Sequence, residues 1–320
     1  RLRELEAASA GRYVVDTHRS YKLRVELNVH QGVPLIDPET LVRRLPDESD
    51  RPVRDAVVRI AFAGTGAEPY AELWTSAPFL SASSPYFKTL LRSGFSESMR
   101  KASKRARTSA SAPSSSATVD NGDKDFDDSD AETDAALCED EASPLSLHDL
   151  SQHADLSYQE IVVHQTAYST YRAVLRYFQT GFLRFAPLAS SCLPVLASAK
   201  KSRADLVKER RDAEPSLPIP VSPKSTYRLA HLLGCEPLQR ACLVEFGRQL
   251  SVVNAAYELF DNASQVYAEW RKVALAYVVR ERVRVTASDG WRDLQARIAR
   301  DEIPGAAPIL MELVSARGRY

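Results

Sequence analysis

Between Asp120 and Glu141 eleven acidic residues stand against a single lysine, Lys124. A stretch so charged and so poor in large apolar side chains cannot bury enough surface to offset the entropy of ordering it. Ahead of it lie the basic residues Arg100, Lys101, Lys104, Arg105 and Arg107 and a serine-rich run around Pro113. The sequence therefore predicts a disordered insertion over residues 101–156, with folded chain on either side. The 42 basic and 42 acidic residues balance, so the rest of the chain carries about ten positive charges once this stretch is set aside.

A second interruption covers residues 199–224. Lysines and arginines enrich its first half, and Pro215, Pro218, Pro220 and Pro223 punctuate its second. Prolines at that density neither continue a helix nor sit in a central strand, so the segment reads as a linker, at most opened by a short helix.

The remaining sequence has clear periods. Tyr21 to Val29 alternates apolar and polar residues and predicts a half-buried strand. This strand is either the tail of an upstream domain or an extra strand on the sheet that follows. The chain opens at Arg1 and not at Met, which reads as a piece of a longer product. Val57 to Phe62 and Tyr70 to Thr75 predict a hairpin across Gly64–Pro69. Phe79 to Arg92 holds two short helices, divided where Ser84 caps and Pro85 takes the first helical position. Ile161 to Val163 predicts a strand, Tyr168 to Phe178 a helix ended by Gly181, and Phe182 to Phe185 a last short strand. From Thr226 onward apolar stripes recur at helical spacing, one of them running from Val266 through Trp270 to Val278.

These features exclude several function classes. With 44% apolar residues the chain has material for a real core, and no apolar run approaches membrane-spanning length. No phosphate loop, nucleophile elbow, zinc-protease helix or dinucleotide fingerprint occurs. The four cysteines and six histidines lack zinc spacing, and the aspartates lack the register of a calcium loop. The basic residues near 100–107 read as a solvated helix end, with a nuclear-import signal as the alternative. No enzyme activity, cofactor, metal or nucleic-acid partner is expected. The cysteines fit a reducing intracellular setting, with nucleus and cytoplasm both open. Ser129, followed by Asp130 and Glu132, matches the surroundings an acid-seeking kinase prefers and is a candidate phosphosite.

Three blocks in this order resemble a BTB/POZ domain followed by a helical extension. The first is Phe79-Leu80-Ser81-Ala82-Ser83-Ser84-Pro85-Tyr86-Phe87, with Leu90-Leu91 and Gly94-Phe95-Ser96-Glu97 behind it. The second is Tyr171 to Gly181, which looks like the family helix that ends in Tyr-Thr-Gly. The third, Leu229 to Cys242, looks like the family helical hairpin. The resemblance covers about residues 55–98 and 157–285, and the arrangement is similar to divergent fungal members. It implies an α+β fold: a small sheet with helical hairpins, then an all-α extension of the BACK or 3-box kind. The divisions it implies are 1–54 (strand and connector), 55–198 (the BTB/POZ-like domain with insertion 101–156), 199–224 (linker) and 225–320 (helical extension).

The resemblance also implies a partner. Many family members dock the N-terminal region of cullin-3 and present a bound target for ubiquitin transfer. The family's hydrophobic-x-Glu element falls on Phe95-Ser96-Glu97, with Phe95 entering an apolar pocket on the cullin and Glu97 making a polar contact beside it. Tyr177 and Phe178 would floor or support the same surface, where Gln179 replaces a family tyrosine. Thr75-Ser76 stands where members carry Ala-His, a departure that bears on the standard homodimer and its groove. The alternative is a scaffold or oligomerisation protein that binds no cullin. The target protein is not readable from the residues.

Overall fold

The computed structural model describes residues 37–47, 49, 57–63, 69–93, 98–101, 128–138, 158–193 and 201–316. The predicted strand at Tyr21–Val29 and the pair Phe95 and Glu97 lie outside them.

Among the described residues the sheet has four strands: β1 (Val57–Ala63), β2 (Pro69–Ser76), β3 (Ser98–Lys101) and β4 (Tyr158–Val163), in the spatial order β2-β1-β4-β3. β1 is antiparallel to β2, with Ile60 opposite Leu73. It is parallel to β4, with Ile60 opposite Ile161, and β3 lies antiparallel on β4. Arg100 and Lys101 therefore belong to an outer strand and not to a helix end. Alternation sends Val58, Ile60, Phe62, Leu73 and Ile161 into the core. It sends Arg59 to the opposite face, where its guanidinium meets Glu72 at 2.7 Å and Glu160 at 3.7 Å.

Helices cover the core face. α1 (Pro38–Arg44) is capped by Asp37, whose carboxylate accepts from the Thr40 N–H. α2 (Ala77–Ser83) and α3 (Pro85–Ser93) meet at Ser84 as the sequence predicts. The Ser84 hydroxyl accepts from the Tyr86 N–H at 3.1 Å and donates to the Leu233 carbonyl at 2.7 Å. One cap thus also fastens the helical region to the sheet layer. α4 (Ser129–Cys138) lies inside the acidic stretch. α5 (Tyr168–Thr180) ends at Gly181, whose φ of 73° a residue with a Cβ adopts only under strain. Tyr168 and Tyr171 meet Phe62 edge-on at 5.5 and 5.6 Å, and Tyr171 also lies against Phe87. α3 and α5 therefore share one core on one sheet.

The elements described beyond residue 200 are helices: α6 (Arg203–Ala213), α7 (Pro223–Leu232), α8 (Glu236–Gln249), α9 (Ala255–Leu259), α10 (Asn262–Val266), α11 (Ala268–Arg280), α12 (Arg282–Thr286), α13 (Asp289–Ala299) and α14 (Ala306–Ser315). α7 and α8 form the hairpin read from Leu229 to Cys242, turning at Gly234. Phe246 of α8 stacks on Trp270 of α11 at 3.9 Å. The fold is thus a mixed α+β one, a small sheet followed by a long all-α region.

Several expectations are corrected. The disordered insertion predicted over residues 101–156 does not hold for 129–138. These form a helix with Asp128, Asp130, Thr133, Asp134 and Leu137 buried, because partners elsewhere in the fold supply hydrogen bonds that local sequence cannot show. The segment read as linker contains α6, opened by a capping box between Ser202 and Asp205. Its prolines behave as expected, with Pro223 starting α7. The short strand expected at Phe182–Phe185 is reduced to one bridge between Phe185 and Val221, since the prolines around Val221 allow no longer ladder. The single helix expected across Val266–Val278 is two, divided where Tyr267 turns extended (φ −105°, ψ 107°). No helix of the described residues is long and apolar enough to cross a membrane.

Candidate interaction surfaces

Tyr177, Phe178 and Gln179 form the last turn of α5. The rings of Tyr177 and Phe178 lie 6.2 Å apart, half-buried against the core, and burial raises the Tyr177 phenol above its ordinary pKa. Gln179 is turned toward α1. Its side-chain oxygen accepts from Arg176 Nη1 at 3.1 Å, and Arg176 in turn donates to the carbonyls of Val42, Leu45 and Pro46 at the end of α1. The structure brings Tyr177 and Phe178 together and directs Gln179 elsewhere.

Immediately after α5 the chain forms one wall of a groove. Leu183 and Phe185, with Arg240, Ala241, Val244, Glu245 and Arg248 of α8, line a shallow, open groove of about 540 Å³. Cys242 and Phe246 are buried on the core side of α8, while Val244 is 55% exposed on the groove side. Gln249 braces the walls, donating to the Ala186 carbonyl at 3.0 Å and accepting the Leu188 N–H at 2.8 Å. Sequence reasoning placed Leu183 and Phe185 in a strand. The usable signal was Val244, an apolar residue between Arg240 and Arg248 at steps of four.

A polar cluster surrounds α4. Asp128 accepts from the Ala167 N–H at 3.1 Å and from the Ser225 hydroxyl at 2.6 Å. Asp130 accepts from the Thr170 hydroxyl at 2.6 Å, from the Ser222 N–H at 2.8 Å and from Arg203. Asp134 accepts from the Ser169 N–H at 3.1 Å, and its Oδ1 has no hydrogen-bond partner. Arg203 also donates to the Ser129 carbonyl and the Thr133 hydroxyl, each at 2.6 Å, and to the Pro187 carbonyl at 3.0 Å. Burial pushes the Asp130 carboxyl up against the pull of Arg203. Burial pushes Asp134 up to about 7. Ser129, the candidate phosphosite, is the first residue of this docked helix, with its carbonyl inside the cluster. The signal that went unread was local: Asp128 in N-cap position, acids in the first turn, then Ala135-Ala136-Leu137.

A second buried network fastens α7 to α9. Lys224 meets Glu258 at 3.2 Å and Asp261 at 2.9 Å, and the Ser190 hydroxyl donates to Glu258 at 2.5 Å. The paired carboxylates raise the Lys224 pKa, and burial raises that of Glu258. Both networks join elements and are closed to substrate. Among the described residues no group of three or more His, Cys, Asp or Glu side chains is placed to hold a metal ion.

Comparison with protein-family models finds no match for this chain, and no curated protein matches it.

Proposed function

We propose that the chain is a non-catalytic interaction module of the BTB/POZ type, acting as a substrate adapter of a cullin-3 RING ubiquitin ligase. The order of elements supports this reading: a small sheet, the α2–α3 pair broken at Ser84-Pro85, a helix closed by Gly181, and the α7–α8 hairpin behind it. The observation that carries it is the groove at the end of α5, built jointly by Leu183 and Phe185 and by α8 of the helical extension. A shallow groove lined by apolar side chains and by Arg240, Glu245 and Arg248 suits an amphipathic partner helix. The module performs no chemistry. It raises the effective concentration of a bound target at the ubiquitin carrier.

The test is calorimetric titration of the full chain with a cullin-3 N-terminal fragment, comparing wild type with Val244→Asp, Phe95→Ala and Glu97→Ala. Val244 is exposed, so its substitution leaves the core intact, and circular dichroism checks the other two. At least a tenfold loss of affinity is expected for Val244→Asp and Phe95→Ala. No binding by the wild type, or binding indifferent to all three changes, overturns the reading.

One observation favours the alternative, a scaffold or homodimer without cullin. Gln179 stands where the family carries a ring and spends its side chain on Arg176. A dimer by light scattering together with no heat on titration would select that alternative.

A further inference from the structure

Helix α4 is attached by polar contacts. Of its described apolar side chains Leu137 is buried, while Ala131, Ala135 and Ala136 face solvent. Its hold comes from Asp128, Asp130 and Asp134, aspartates at spacings of two and four. What receives them belongs to other elements. The N–H groups of Ala167 and Ser169 and the Thr170 hydroxyl lie at the N-terminus of the thirteen-residue α5. The Ser222 N–H and Ser225 hydroxyl lie at the N-terminus of the ten-residue α7. Arg203 stands between them, its side chain 5% exposed.

Two converging helix N-termini and a guanidinium make a strongly electropositive cleft. The Ala167, Ser169 and Ser222 N–H groups and the Thr170 and Ser225 hydroxyls each donate to Asp128, Asp130 or Asp134, so departure of the helix exposes a set of donors aimed at one anionic surface. The occupant itself fits imperfectly. Asp134 is 1% exposed yet has one oxygen without a partner, and of the three aspartates only Asp130 is paired with the guanidinium. A helix held by charge with a single apolar anchor belongs to the part of a fold that opens first.

We propose that the cleft formed by the N-termini of α5 and α7 and by Arg203 is a receptor for an acidic helix with aspartates at i, i+2 and i+6, that α4 is its intramolecular occupant, and that a partner protein bearing the same pattern binds there by displacing α4. The chain then carries its own competitor, and partner affinity is set by how often α4 leaves. This site is separate from the groove beside α8, and the inference stands whether or not that groove takes a cullin.

Two measurements test it. The first is hydrogen exchange on the unaltered full chain. The α4 amides are expected to exchange at least tenfold faster than those in the middle of α5, and exchange of both helices together at the rate of global unfolding overturns the proposal. The second is fluorescence anisotropy with a labelled peptide of residues 127–139 carrying Cys138→Ser. The full chain with Asp130→Ala and Asp134→Ala is expected to bind it at least tenfold tighter than wild type does. A peptide with Asp130→Asn, which loses the charge paired with Arg203, is expected not to bind. A variant that keeps its cooperative melt yet gains no affinity overturns the proposal. If the variant does not fold, wild type with saturating peptide decides. Faster α4 exchange, with the starts of α5 and α7 still protected, supports displacement. Unchanged α4 exchange refutes it.

Discussion

Arg203 and Asp130 form an ion pair across 73 positions of sequence, with side chains 5% and 1% exposed. The pair joins a segment whose composition argues against order to a helix at the edge of a proline-rich connector. It stands where Ser129, Thr133, Thr170, Pro187 and Ser222 supply further hydrogen bonds.

Removing one partner leaves the other charge buried and uncompensated. Arg203→Met is expected to cost about 3–5 kcal/mol, expressed first as release of α4. Urea unfolding combined with hydrogen exchange across residues 129–138 checks it. Loss of protection in α4 before the core unfolds is the expected pattern.

Asp134 gives the fold a pH dependence. Its carboxyl is raised from an ordinary 3.8 to about 7 by burial, so between those values the folded state binds a proton that the unfolded state has released. Stability from this group is fully present below about pH 4 and is lost as pH rises through 7. The charged groups around it are Asp130 and Asp128, both of which push its carboxyl further up. Asp134→Asn keeps an acceptor for the Ser169 N–H and is expected to stabilise the chain at pH 8, on the order of 3 kcal/mol. Thermal melts of wild type and variant between pH 5 and 8 would show the two curves converge toward acid.

Arg176 closes the C-terminal end of α1 through the carbonyls of Val42, Leu45 and Pro46. Arg176→Met keeps the apolar stem and removes every donor. About 2–3 kcal/mol is expected to be lost, with α1 protection falling most. Arg176→Lys is expected to restore little, because one ammonium cannot span acceptors that the guanidinium fork reaches together.

Two glycines separate crowding from backbone strain. A Cβ on Gly290 would sit 2.7 Å from the Val253 carbonyl oxygen and 3.0 Å from the Tyr257 ring, whereas one on Gly234 meets nothing within 4 Å but must adopt φ 68°. Gly290→Ala is expected to cost about 2–3 kcal/mol by forcing α13 off α9. Gly234→Ala is expected to cost about 1–2 kcal/mol by strain alone. Equilibrium denaturation of both variants would establish the order.

Where structure follows from neighbours in sequence, it was legible. The apolar runs on either side of Gly64–Pro69 gave the β1–β2 hairpin, Ser84-Pro85 divided α2 from α3, Gly181 ended α5, and the stripe from Leu229 to Cys242 gave the α7–α8 hairpin. Of the candidate surface residues, Tyr177 and Phe178 lie together as their adjacency in a helix requires. Gln179 took a different partner, because Arg176 one turn away was already committed to α1. Phe95 and Glu97 lie outside the described residues.

Helix α4 could not be read in the same way. Its aspartates are expensive to bury by composition, and the donors that make burial possible lie 35 to 97 residues away, at Ser169, Ala167, Thr170, Arg203, Ser222 and Ser225. Periodicity, caps and breakers are properties of a few consecutive residues and were fixed by the order of amino acids. Whether a charged segment stays in water or docks depends on the electrostatic environment that other elements create, and that environment exists only after α5, α6 and α7 have packed.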